Sequence, residues 1–268
     1  MNIDFSEVLN KFEPKGVSDL LIGVDGNGEL HSHHFLHKNN LLIVGQTGSG
    51  KSVAMHQMVL SGMFNKSPRD IQFVFYDPKR VDYLEYKNSP FLMKDIMYHT
   101  EELEEYLIEL TAILDKRMKQ FVNTKTIDIE RYNKYAREND LEEFPYIITV
   151  IDEIAVPSCE SPEIQEHLVR IMQKSRAVGI HFIIGTQTPR RDVITGALKA
   201  NMLSRIAMKV SGETESMIAI DELGAEQLNG RGDMIYKVDG RSELLQSSYV
   251  SEENIETLCD YFNTKYSI

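Results

Sequence analysis

The sequence predicts an α/β fold: a mainly parallel central sheet flanked by helices, with small hairpin additions. Three observations carry this. Four short, strongly apolar runs, "NLLIV", "IQFVFY", "YIITVI" and "IHFIIG", have the character of strands buried on both faces of a parallel sheet. Segments of helical periodicity separate them. The stretch "GQTGSGKS", Gly45 to Ser52, lies between the first run and a helical segment and has the spacing of a phosphate-binding loop.

Taken in order, residues 1–17 read as a polar lead-in with a short amphipathic piece, and 18–268 as the principal domain. "LLIGVDGNGELHSHHFL" predicts a hairpin around Asp25, Gly26, Asn27 and Gly28. "TEELEEYLIELTAILDKRMKQF" predicts a helix with Thr100 as N-cap and Glu101 and Glu102 in its first turn. Leu103, Leu107, Leu110, Leu114, Met118 and Phe121 would line its core face. "DMIYKVDGRSELLQSSYV" predicts a second hairpin, followed by a C-terminal helix from about Ser251.

Composition narrows the class. The chain has 41 acidic and 29 basic residues, a formal net charge of −12, which argues against coating nucleic acid over its whole surface. A local basic track remains compatible, since screening confines charge effects to roughly 8 Å at physiological salt. The apolar runs are too short to cross a bilayer, and "MNIDFSEVLNKFEPKG" is not a signal peptide. Two distant cysteines, Cys159 and Cys259, predict no disulfide framework and fit a reducing cytoplasm. The stretch "HSHHFLH" lacks a Cys or carboxylate at ligand spacing and reads as a strand, and "RGD" at 231–233 reads as a turn before a strand.

The chemistry concentrates at three strand ends. Gly45, Gln46, Thr47, Gly48, Ser49, Gly50, Lys51, Ser52 and Val53 form the expected phosphate cradle: glycines permit the tight turn, and backbone N–H groups with the helix N-terminus face the phosphates. Lys51 would reach the β- and γ-phosphates of ATP, and the Ser52 hydroxyl would ligate Mg²⁺. "YIITVIDEIA" ends in Asp152, expected in the Mg²⁺ shell, and Glu153, expected to orient or deprotonate the attacking water. In a RecA-like P-loop NTPase the neighbouring strand ends in a polar sensor of the γ-phosphate, and here Gln187 is the candidate.

Together these stretches resemble the motor domain of the FtsK/SpoIIIE family of double-stranded DNA translocases, from about Ser18 to about Asn263. "YDPKRVDYLEY", "RYNKY", "KSRAVGIHFIIGTQTP", "DVITGALKANMLSRIAMKVS" and "GAEQLNGRGDMIY" match family segments in order. The resemblance implies a RecA-like fold, a homo-oligomeric ring, expected to be a hexamer, with DNA in its channel, and ATP hydrolysis at subunit interfaces. It implies that Arg176 reaches the neighbouring subunit's nucleotide, with Arg205 as the alternative. The match lacks a membrane region, a separate preceding subdomain and a C-terminal winged helix, so membrane insertion and sequence reading are not expected.

Departures from the pattern bear on DNA contact. Thr188 stands where the family has Arg, and "SGETESM" (211–217) is acidic where a channel loop usually carries Lys and Arg. Arg190 and Arg191, just downstream, are the candidates to grip phosphate, with Lys199 a third. The acidic loop favours an alternative, a secretion-type ATPase of the same superfamily that moves protein. DNA segregation, conjugative transfer and viral genome packaging all stay open as the translocase's role.

Overall fold

Each of the four apolar runs forms a strand in the computed structural model, which describes residues 3–64 and 66–266. In chain order the elements are α1 (Phe5–Lys11), β1 (Asp19–Val24), β2 (Leu30–His34), α2 (Phe35–Lys38), β3 (Leu41–Val44) and α3 (Lys51–Phe64). Then come β4 (Ile71–Tyr76), α4 (Thr100–Thr124), α5 (Ile129–Glu138), β5 (Tyr146–Ile151), α6 (Ala155–Glu160), α7 (Glu163–Ser175) and β6 (Ile180–Thr186). The chain ends with α8 (Gly196–Asn201), β7 (Ser204–Met208), α9 (Glu213–Ile220), β8 (Asp233–Val238), β9 (Arg241–Gln246) and α10 (Glu252–Lys265).

One nine-stranded sheet has the order β2-β1-β9-β8-β7-β3-β6-β5-β4. The five strands from β7 to β4 are parallel, and the two hairpins extend the sheet antiparallel beyond β7. Every residue of β3, β5 and β6 is buried, as strands covered on both faces require. Each fully buried aliphatic side chain there contributes roughly 1.5–3 kcal/mol of transfer free energy. The fifth parallel strand, β7, is absent from the four apolar runs because Arg205 interrupts it. Its guanidinium is nevertheless buried, donating to the carbonyls of Met202 and Lys199 and to the Asp221 carboxylate.

Both predicted hairpins form, and α10 starts on its Ser251 cap. In α4 two details differ from expectation. The N-cap is His99, and Glu102 reaches back to accept from the N–H groups of Tyr98 and His99 (2.7 and 2.8 Å), which places Thr100 inside the first turn. Met118 is 41% exposed, because Arg117 takes the buried position: its guanidinium donates to the Val178 carbonyl at 2.7 Å and lies over the Phe144 ring. The lead-in is not set apart either, since Phe5 and Leu9 of α1 join the main core. Among the described residues no helix is long and apolar enough to cross a membrane.

Helix α3 is buried along most of its length, beneath the sheet. The Gln57 side chain fastens it to the added hairpins, accepting from the Ser248 N–H at 2.7 Å and donating to the Ile22 carbonyl of β1. The middle of α3 is thereby tied to β1 and to the segment after β9.

Candidate nucleotide site

The carboxyl ends of β3, β5 and β6 converge on the loop from Gly45 to Gly50. Gly48 and Gly50 have φ of 77° and 100°, conformations that L side chains rarely adopt. A Cβ on Gly50 would also lie 2.5 Å from the Gly232 nitrogen. The "RGD" turn is thus the rear wall of the loop, and Gly232 donates to the Ser49 carbonyl at 2.8 Å. Gln46 donates to the Lys209 carbonyl and Ser49 to that of Gln46, which pins the loop from inside. Among the described residues, the backbone N–H groups of Gly48, Gly50, Lys51, Ser52 and Val53 have no protein acceptor. Such a run of open donors at a helix N-terminus fits a polyphosphate.

Lys51 is 3% exposed, and its ammonium donates to the Asp152 carboxylate at 2.6 Å and to the Asp152 carbonyl at 2.7 Å. Gly185 makes room for this: a Cβ there would sit 2.4 Å from the Asp152 carbonyl oxygen and 3.0 Å from the Lys51 nitrogen. The second Asp152 oxygen is held by Lys79 at 2.8 Å. Burial alone would raise the Asp152 pKa, but Lys51 and Lys79 outweigh it and hold the carboxyl below its ordinary range. Lys79 likewise is raised, its burial outweighed by Asp152.

Lys79 is a site residue that motif spacing did not single out. It lies in the "DPKR" segment, whose Asp77 carboxylate accepts from the N–H groups of Lys79, Arg80, Val81, Asp82 and Tyr83 and so shapes the turn that presents it. Oxygens of Asp77, Asp82 and Asp152 lie within 4.8 Å of one another. Burial, and then the charges of Asp152 and Asp77, raise the Asp82 pKa. The groups that would hold a divalent cation at the loop are the Asp152 carboxylate, with the Asp77 and Asp82 oxygens within 4.8 Å of it, and the hydroxyl of Ser52, next to Lys51 at the start of α3.

Glu153, 6% exposed, is gripped at both oxygens: the Thr186 hydroxyl donates at 2.6 Å and the Gln187 N–H at 2.8 Å. The Gln187 side chain in turn accepts from the Thr47 hydroxyl at 2.9 Å. Cradle, base candidate and sensor candidate therefore form one hydrogen-bonded unit.

The arginines lie elsewhere. Arg176 caps α7 at the amino edge of the sheet, exposed, its Nε donating to the Leu36 carbonyl at 2.8 Å. The seven residues of β6 separate the two edges by about 20 Å, so Arg176 does not serve its own loop. The alternative, Arg205, is buried and committed to Asp221. Beyond β6, Arg190 pairs with Asp192 at 3.0 Å, both mostly exposed. Arg191 lines a cleft of about 630 Å³ with Lys199, Glu213 and Met217. Lys199 differs from the two arginines: its ammonium is paired with Asp221 and mostly buried. The acidic pair Glu213 and Glu215 occupies the first turn of α9, where the helix dipole favours it, and Glu215 accepts from the Ser211 N–H at 2.7 Å. Of the histidines, His33 is buried between the Tyr236 hydroxyl and the Asn39 carbonyl.

Comparison with solved structures places the fold. The cytoplasmic domain of the Type VII secretion ATPase EccC of Thermomonospora curvata superposes with a TM-score of 0.86 at 20% identity, over 98% of this chain and 34% of that one. The pCW3 conjugation coupling protein TcpA, solved with ATPgS, gives 0.83 at 22% identity, over 96% and 72%. Both likenesses establish the P-loop ATPase fold. In sequence, the chain is 36% identical over 270 residues to the DNA translocase FtsK of Oceanobacillus iheyensis, covering 97% of this chain and 34% of that protein. It is 35% identical over 253 residues to the DNA translocase FtsK of Lactiplantibacillus plantarum, covering 91% and 32%. The chain thus spans about a third of these relatives. The FtsK/SpoIIIE sequence profile matches residues 13–191, and the chain belongs to that family.

Proposed function

We propose that this chain is an ATP-hydrolysing motor that drives translocation along double-stranded DNA without sequence preference. The observation that carries the reading is a pair of networks, Lys51 on Asp152 and Glu153 linked through Gln187 to Thr47, that meet at the adjacent residues 152 and 153 behind a run of open backbone donors. Lys51 exchanges Asp152 for the β- and γ-phosphates of ATP. Ser52 and Asp152 would hold Mg²⁺, which would supply charge neutralisation at the phosphates. Glu153 takes the proton of the attacking water, and Gln187 links that base to the phosphate loop through Thr47. The family relatives named as DNA translocases support DNA as the track.

The working form is a ring of copies, six by family resemblance, acting in the cytoplasm. Arg176 completes the neighbour's site: it is exposed, has no carboxylate partner among the described residues, and lies at the edge remote from its own loop. Arg190 and Arg191 face the DNA.

A second reading, transport of protein, draws on the likeness to EccC. Duplex DNA decides between them. Turnover of ATP with Mg²⁺ should rise several-fold on adding duplex of arbitrary sequence. Stimulation by an unfolded polypeptide and not by duplex would establish the second reading.

A further inference from the structure

The carboxylate of Asp152 is fully buried, and its two oxygens are taken by two different lysines, Lys51 at 2.6 Å and Lys79 at 2.8 Å. Lys51 has a second destination in the phosphates, and the phosphate loop opens directly beside it. Lys79 has none of that kind. It comes from the turn after β4, is 36% exposed, and its ammonium has no other carboxylate partner among the described residues. The turn itself is held by the Asp77 carboxylate through peptide N–H groups, independently of the Lys79 side chain. The ammonium can therefore leave Asp152 while the turn keeps its shape, and an exposed face lies ready to receive it.

A half-exposed ammonium on a buried carboxylate is a counter-ion, and a counter-ion repels any other cation that seeks the same oxygen. Resting on the proposal that Asp152 serves a metal nucleotide, we infer that Lys79 competes with the divalent cation for Asp152 Oδ2 and so sets how tightly the metal is held. Metal entry breaks the Lys79–Asp152 pair and sends the ammonium to solvent. Metal loss restores it, so Asp152 is never left as a bare buried charge.

The test uses Mn²⁺ as the probe, read by electron paramagnetic resonance on the full chain with a non-hydrolysable ATP analogue. Lys79→Met should bind Mn²⁺ on the order of tenfold more tightly than wild type, because no ion pair has to be broken. Lys79→Arg, which keeps the charge, should stay near wild type. In wild-type protein, amine acylation at Lys79 should rise several-fold with Mn²⁺ and analogue together and stay level with the analogue alone. Unchanged or weaker Mn²⁺ binding in Lys79→Met overturns the inference. So does a fall in Lys79 acylation with the analogue alone, which would make Lys79 a phosphate ligand. Failure of wild type to bind the analogue at all, measured by fluorescence, would instead remove the nucleotide reading beneath it.

Discussion

The two edges of the parallel sheet hold their buried charges in different company. At the carboxyl edge ionised groups are buried as pairs: Lys51 and Asp152 are 3% and 0% exposed. At the amino edge the buried cations are tied mainly to backbone carbonyls, Arg117 to Val178 and Arg205 to Met202 and Lys199 with Asp221 beside it. The imidazoles of His33 and His181 are buried near them, and the cation Arg176 stays outside. Burying a charge costs several kcal/mol unless it is paired. A buried pair can also trade one partner for a phosphate or a metal without exposing a bare charge, which is what a reversible nucleotide site requires. Arg176, exposed and without a carboxylate partner among the described residues, is left available to a charge from outside the chain.

Two substitutions at the carboxyl edge should disable the site. Lys51→Ala removes the loop's cation and leaves Asp152 to Lys79 alone; nucleotide affinity should fall by at least about 100-fold. Glu153→Gln should lower turnover on the order of 100- to 1,000-fold while analogue affinity stays within about twofold. Wild-type turnover in Glu153→Gln would remove Glu153 as the base and break the contrast at its centre.

At the amino edge, Arg176→Ala should lower turnover on the order of 1,000-fold while nucleotide binding survives. Mixing it with Lys51→Ala should restore part of the activity, since some interfaces then join an intact loop to an intact arginine. No recovery in rings proven to be mixed would return Arg176 to a structural role at Leu36.

Acid tests the buried imidazoles next. Burial pushes His33 and His181 down to about 3, far below the ordinary histidine value of 6.5. The unfolded chain therefore binds more protons than the folded one as pH falls below 6.5, and stability declines over that window. Asp152, held below its ordinary range by two lysines, gives up its contribution only below the ordinary carboxylate value of 3.8. Denaturant unfolding measured between pH 7 and 4.5 should show the decline, and His181→Leu should flatten it by one titrating group. A decline of equal slope in that variant would remove His181 from the account.

The smallest effect is expected for the loop after β6. Replacing Arg190 and Arg191 by Glu should weaken duplex binding and flatten its log–log salt dependence by about 0.9 per lost phosphate contact. Arg191→Glu should carry more of the change, because Arg190 already has Asp192. An unchanged slope, with ring formation intact, would take the pair out of the DNA path.

Sequence by itself determined whatever depends on neighbours in the chain. The phosphate loop is legible because its demands are local: glycines at positive φ, a strand before and a helix after. The apolar runs mark β3 to β6 for the same reason, and Asp-Gly turns mark both hairpins. Tertiary structure alone decided which charges meet. Lys51 and Lys79 find Asp152 across 101 and 73 residues, and no spacing rule reaches that far. Shorter separations of 16 and 22 residues, still beyond local patterning, hid β7, whose Arg205 is accepted in a buried strand with Asp221 and two carbonyls around it, and the commitment of Lys199 to that same carboxylate. A side chain's type is written in the chain, but whether its charge is spent or available depends on what the fold places beside it.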